Sequence, residues 1–219
     1  MSKSTRSPLL VAFVTIFIDL LGFGIIIPIQ PFFTKSFGAT ETVVTLLSAS
    51  YSLMQFLFAP MWGALSDRVG RRPIILWSIA ISCLGHFVFA SATALVWLFA
   101  ARILAGFGNA NLGAAQAIIS DSTTAENRAK GMGLIGAAFG LGFVFGPIIG
   151  AFLGQISPRV PLYTASGLAV FNLLLAYFIL PETRKPDTTV RKASFRISPK
   201  LLSQAIKHSN VSLILMISF

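Results

Sequence analysis

Six apolar runs, each near twenty residues long, limit what this chain can fold into more than any other feature. They cover Leu9–Phe33, Val43–Leu65, Pro73–Ala92, Ala94–Ile119, Gly131–Ile156 and Pro161–Leu180. An α-helix needs about 20 residues to cross the hydrocarbon core of a bilayer. Backbone in lipid must satisfy its own hydrogen bonds, so a run of this kind is a helix or a strand of a closed barrel. Barrel strands would appear as alternating segments of about ten residues, and the sequence has no such pattern. The expectation is an all-α polytopic membrane protein. Composition agrees: the 219 residues are 55% hydrophobic and 11% charged, against about 25% charged in ordinary soluble domains. No cleavable leader is expected, because the first run is long and no small-residue cleavage pattern follows it.

The net charge of +10 does not point to nucleic acid, because the basic residues fall between apolar runs instead of along one face. They report orientation. With a cytoplasmic N-terminus, Arg68, Arg71, Arg72, Arg128, Lys130 and the basic residues of both terminal regions lie inside. Only Lys35 and Arg159 lie outside, and Arg102 sits within the fourth run. This implies a multi-pass protein of the inner (cytoplasmic) membrane, with its N-terminus and central linker in the cytoplasm. Residues 1–182 are expected to form the helical bundle. Residues 183–210 read as a basic cytoplasmic linker, either a disordered tail near anionic lipid or one with a short amphipathic helix around Lys200–Lys207. Residues 211–219 begin another apolar run, too short to span, and read as the truncated start of a seventh helix. The lone Cys83 lies inside a run and says nothing about redox compartment.

Ionisable residues inside a span cost at least about 2.5–3.5 kcal/mol and raise a functional hypothesis by default. Asp19 and Arg102 qualify, each near the middle of its run. Either Asp19 binds and releases a proton under the influence of Arg102, or the two form a static buried pair that fixes helix packing. His86 either carries protons or hydrogen-bonds a neighbouring helix. Gln55, Asn109 and Gln116 are candidates for substrate contact, with interhelical hydrogen bonding as the alternative. The fifth run carries Gly133, Gly136, Gly140, Gly142, Gly146 and Gly150, with Pro147 after Gly146. Such a series permits close helix packing, and the proline permits a bend that serves as a seal or pivot.

Three motifs carry a resemblance. Gly63-x-x-x-Asp67-Arg68-x-Gly70-Arg71-Arg72, in the loop between the second and third runs, resembles the charged loop of the major facilitator superfamily of transporters. Leu98-x-x-x-Arg102-x-x-Ala105-Gly106-x-Gly108-x-Ala110 is similar to that family's fourth-helix motif, with Ala105 in place of the usual glutamine. Gly133-x8-Gly142-x3-Gly146-Pro147-x2-Gly150-Ala151 is similar to its antiporter-type fifth-helix motif, with the last glycine replaced. Asp19-x-x-Gly22-x-Gly24-x-x-x-Pro28-x-x-Pro31, Ser52-Leu-Met-Gln-Phe56 and Leu180-Pro-Glu182 resemble drug/proton antiporters of the tetracycline-efflux type.

The resemblance covers about residues 9–186. It implies the six-helix N-terminal half of a twelve-helix fold, built as two inverted three-helix repeats, with the missing C-terminal half as partner. It implies proton-coupled efflux of an amphipathic drug by alternating access, with Asp19 and Arg102 in proton coupling and no cofactor beyond the proton gradient. It places Gly63, Asp67, Arg68, Gly70, Arg71 and Arg72 in a cytoplasmic charge cluster with Asp121 and Arg128. Tetracycline exporters carry an acid in the third helix where Gly85 stands here, which tells against tetracycline itself. The alternatives are a symporter or uniporter for a nutrient or metabolite, and a non-transporting half. An intramembrane enzyme is not expected: the sequence has no H-E-x-x-H, no G-x-S-x-G and no histidine pair with metal-ligand spacing.

Overall fold

The computed structural model describes residues 8–110, 112–124 and 126–183. The expected linker beyond residue 183 and the expected seventh-helix start at 211–219 lie outside the described residues. The described chain is helical throughout: α1 (Pro8–Lys35), α2 (Glu41–Val69), α3 (Arg71–Ala90), α4 (Leu95–Gly108), α5 (Leu112–Asp121), α6 (Arg128–Gly154) and α7 (Arg159–Ile179). Six stretches are long and apolar enough to cross a membrane, the fourth being α4 and α5 taken together as Leu95–Asp121. Each matches an expected run to within a few residues. The fourth span departs from a single helix. Its α-helical hydrogen bonding breaks at Asn109-Ala110, where the Asn109 amide still donates to the Ala105 carbonyl at 2.8 Å.

The expected loop between the second and third spans is a correction. Residues Gly63 to Val69 belong to α2, and Arg71 already begins α3. Only Gly70 stands between them, with φ +115°, a conformation L side chains rarely adopt. Most of the charged motif is therefore helical, with one glycine as the hinge.

Neighbour relations repeat within the bundle. α1 packs against α6 and α7, while the fourth span packs in the same way against α2 and α3. Exchanging spans one to three for four to six preserves this pattern, as two three-helix repeats require. Close approach is made possible by glycine. A Cβ on Gly146 would stand 2.7 Å from the Gly24 backbone, and one on Gly106 would overlap the Tyr51 carbonyl oxygen.

The buried apolar residues form two clusters. One gathers Val11, Ile16, Trp62, Ile75, Ile119 and Leu180 at the α2–α3 end of the bundle. The other gathers Ile25, Phe33, Leu47, Phe89, Leu98 and Leu162 towards the opposite end. Along the helices, between members of the two clusters, lie the polar residues Asp19, Tyr51, Ser82, His86, Arg102, Asn109 and Asn172. Large side chains such as Trp77, Phe152 and Phe178 point outward, as a lipid-facing surface allows.

Candidate functional site

A cavity of about 470 Å³ opens at this polar waist and runs towards the α2–α3 end, with α1, α2, α3, α5 and α6 all contributing to its wall. Its acid is Asp19. Its aromatic wall includes Phe23, Phe56, Phe139 and Phe143. Phe23 stacks on Tyr51 at 5.1 Å and meets Phe143 edge-on at 6.0 Å. Oδ1 of Asp19 is buried and has no hydrogen-bond partner among the described residues. A carboxylate in this setting needs a proton, a cation or a donor.

Gln55 and Asn109 also line the cavity, and they meet there. Gln55 Nε2 donates to the Asn109 carbonyl at 3.0 Å, and Asn109 Nδ2 donates to the Tyr51 hydroxyl at 3.1 Å. Ser82 Oγ donates to Asn109 Oδ1 at 2.8 Å. One asparagine at the helix break thus links α2, α3 and the fourth span. The Asn109 carbonyl falls where the helical ladder stops, and Gln55 supplies the donor it lacks. The other two candidates lie elsewhere: Gln116 is exposed, and His86 is buried outside the cavity lining with neither ring nitrogen hydrogen-bonded among the described residues.

Arg102 is buried at 3% exposure, outside the cavity lining. Its guanidinium lies 4.6 Å from the Phe89 ring centre and 5.7 Å from that of Tyr51. Among the described residues it forms no ion pair with Asp19, so the direct static pair weighed from the sequence is not what the structure contains. Aromatic faces stabilise the cation instead, and Tyr51 stands between Arg102 and the cavity. A Cβ on Gly85 would come within 2.8 Å of the Ala105 backbone, so α3 and α4 are too close for an acidic side chain at that position.

The α2–α3 end carries the charged cluster. Arg71 pairs with Asp67 one turn earlier and with Asp121 of α5 at 3.3 Å, and its Nη1 donates to Ser66 Oγ at 2.7 Å. Sequence reasoning missed one partner. The Glu182 carboxylate accepts from the Arg71 backbone amide at 3.0 Å and from that of Arg72 at 3.2 Å. It therefore caps α3 from beyond the end of α7. The Arg72 side chain donates to the Tyr177 carbonyl at 2.6 Å. Arg68 and Arg128 are exposed at this end, and Gly63 sits within α2. On the turn before α6, hydrogen bonds from its own backbone amide and from Thr124 hold the exposed Glu126 carboxyl below its usual range.

The glycines of α6 divide into two groups. Gly142, Gly146 and Gly150 are buried against α1, and Pro147 lies against Gly24. Gly133, Gly136 and Gly140 meet nothing within 4 Å. The expected motif residues thus line one seam, except Gly133.

A family model described as Major Facilitator Superfamily matches residues 12–219. The chain belongs to this superfamily. Its members are membrane transporters, so this is a multi-pass transport fold and not an enzyme scaffold. The tetracycline resistance protein, class B, of Escherichia coli is 39% identical over 84% of this chain and 46% of its own length. The quinolone resistance protein NorA of Staphylococcus aureus is 28% identical over 89% of this chain and 50% of its own. Among solved structures, the human organic anion transporter MFSD10 superposes with a TM-score of 0.74 at 28% identity, covering 84% of this chain and 49% of that one. The chain thus spans about half the length of the relatives it matches.

Proposed function

We propose that this chain is the N-terminal half of a proton-coupled exporter of amphipathic drugs that works by alternating access in the cytoplasmic membrane. The observation that carries this reading is Asp19, an acid with no ion pair among the described residues, on the wall of a cavity lined mainly by aromatic and apolar side chains with a few polar ones. The aromatic side chains take the flat apolar part of a substrate, and Gln55 and Asn109 supply its polar contacts. Asp19 exchanges a proton as the cavity changes sides. Arg102 and Tyr51, behind it, shift that equilibrium. The charge cluster around Arg71 faces the cytoplasm and closes that side in the outward-facing state. Gly142, Gly146, Pro147 and Gly150 form the seam on which α6 moves against α1. The whole transporter acts on a small amphipathic molecule and protons, and needs its C-terminal six-helix half but no further cofactor.

Tetracycline and quinolone resistance proteins among the relatives support the drug class. The tight packing at Gly85 argues for a substrate other than tetracycline. The test is drug-dependent proton movement in vesicles carrying the longest reading frame that contains this chain, across a panel of cationic, quinolone-like and tetracycline-like compounds. Asp19→Asn is expected to abolish coupled efflux while the protein still folds. Normal efflux by that variant would remove Asp19 from the mechanism, and efflux without proton movement would favour a uniporter.

A further inference from the structure

On the α1 side of the cavity, the unpartnered oxygens extend beyond Asp19. Thr15 lies one turn before it, lines the same cavity and is 4% exposed, and its Oγ1 has no hydrogen-bond partner among the described residues. A helical threonine ordinarily returns its hydroxyl to the carbonyl one turn back. Thr34, Thr45 and Thr164 do so here at 2.7, 3.0 and 2.9 Å. Thr15 does not. Behind it, the fully buried Asn172 of α7 donates Nδ2 to the Thr15 carbonyl at 3.0 Å. That hydrogen bond holds the Asn172 amide at the Thr15–Asp19 turn, and its Oδ1 is likewise without a partner.

We propose that Thr15, Asp19 and Asn172 form a binding site for a monovalent metal cation, with Na⁺ as its ligand. The three unpartnered groups are all oxygens: a carboxylate, a hydroxyl and an amide carbonyl. Hard cations take this donor set. The formal charge at the site is a single negative one, with no ion pair to Asp19 among the described residues. One positive charge neutralises it, whereas a divalent ion would leave an uncompensated charge within the membrane. Entry is through the cavity that Thr15 and Asp19 both line. The Asn172 Nδ2 bond to the Thr15 carbonyl anchors that amide on α1 and so limits its freedom before an ion binds. The proposal rests on this geometry alone and holds whichever ion drives transport.

Unfolding midpoints of the purified full chain in lipid nanodiscs test it, with choline chloride replaced stepwise by NaCl, LiCl or KCl at constant ionic strength. Sodium is expected to raise the midpoint saturably by several degrees, with choline giving no rise and potassium a smaller one. Thr15→Val should weaken the apparent Na⁺ affinity by roughly tenfold or more, as when a supporting partner of a metal site is lost, and Thr15→Ser should retain it. Equal midpoints in sodium and choline would overturn the site, as would a sodium response unchanged in Asp19→Asn. Should the variants fail to fold, ²³Na NMR of the unmodified protein decides. Line broadening relieved by Li⁺ but not by choline supports the site, and absence of broadening overturns it. Drug efflux plays no part in these readouts, so failure of the export reading and failure of this one are distinguishable.

Discussion

At the scale of single residues, backbone freedom and side-chain chemistry coincide at Gly70. Its φ of +115° is strained for any residue with a Cβ, and a Cβ there would also stand 2.5 Å from Glu182 Oε2. That oxygen accepts the Arg72 amide at the start of α3. A methyl group would therefore force the backbone out of a nearly glycine-only region and displace the carboxylate from two helix-end amides. Gly70→Ala should cost about 1–3 kcal/mol from the backbone alone, read as a lower unfolding midpoint in detergent. A midpoint unchanged within error would mean that the turn relaxes without loss. The glycine and the arginines of this motif are visible in the sequence by type. The Glu182 contact is not, because it joins residues more than a hundred positions apart, and nothing in the local pattern reports such a pairing.

At the scale of helices, α3 is held at one end by α7 and at the other by the segment that follows α7. Glu182 satisfies amides at its N-terminus, where the helix dipole is positive. At the other end Arg159 donates to the Ala90 and Ala92 carbonyls at 3.3 and 3.0 Å, where the dipole is negative. Each charge thus lies at the favourable end of an antiparallel neighbour. Glu182→Gln and Arg159→Gln should each lower stability by about 0.3–1 kcal/mol. The two losses should add in the double variant, because the sites are a helix length apart. A double variant no worse than either single one would contradict the two-ended clamp. The glycine seam of α6 makes a sharper contrast. Gly146→Val drives a branched side chain into the α1 backbone and should cost several kcal/mol, seen as loss of monodisperse protein. Gly140→Val, with nothing within 4 Å, should leave folding within about 0.5 kcal/mol of the parent. The sequence announced one glycine series, and only the fold could sort it into a packed set and an outward one. Both sets sit on the same helix, and hydropathy does not distinguish glycine packed on a backbone from glycine at an open surface.

At the scale of the whole molecule, the six spans were legible because the cost of exposing polar backbone to lipid acts over twenty residues at a time, so no other arrangement of these runs is viable. The polar waist was legible in part. Asp19, Gln55 and Asn109 do meet at the cavity, whereas His86 and Gln116 face elsewhere and Arg102 rests on aromatic rings instead of on Asp19. Which side of a helix a polar residue faces depends on packing against distant spans, and six nearly all-apolar helices give little periodicity from which to infer it. The charged end is where the helices are tied together. Arg71 connects α2 through Asp67 and Ser66, α5 through Asp121, and the segment after α7 through the Glu182 contact to its amide. Asp67 is half exposed, with a side chain 52% accessible, so its pair with Arg71 contributes about 0.2–1 kcal/mol to any state that contains it. Removing that pair cannot unfold the bundle, because Asp121 and Ser66 still hold the guanidinium. On the gating role proposed for the cluster, losing the pair lowers the stability of one conformation relative to the other and so changes turnover. In the intact transporter, Asp67→Asn should therefore slow drug efflux by up to about fivefold, the factor that 1 kcal/mol represents, and leave KM nearly unchanged because the cavity contains no part of the cluster. Rates and KM measured together on vesicles decide the matter: a large rise in KM at constant turnover would place Asp67 in substrate binding and remove it from the gate.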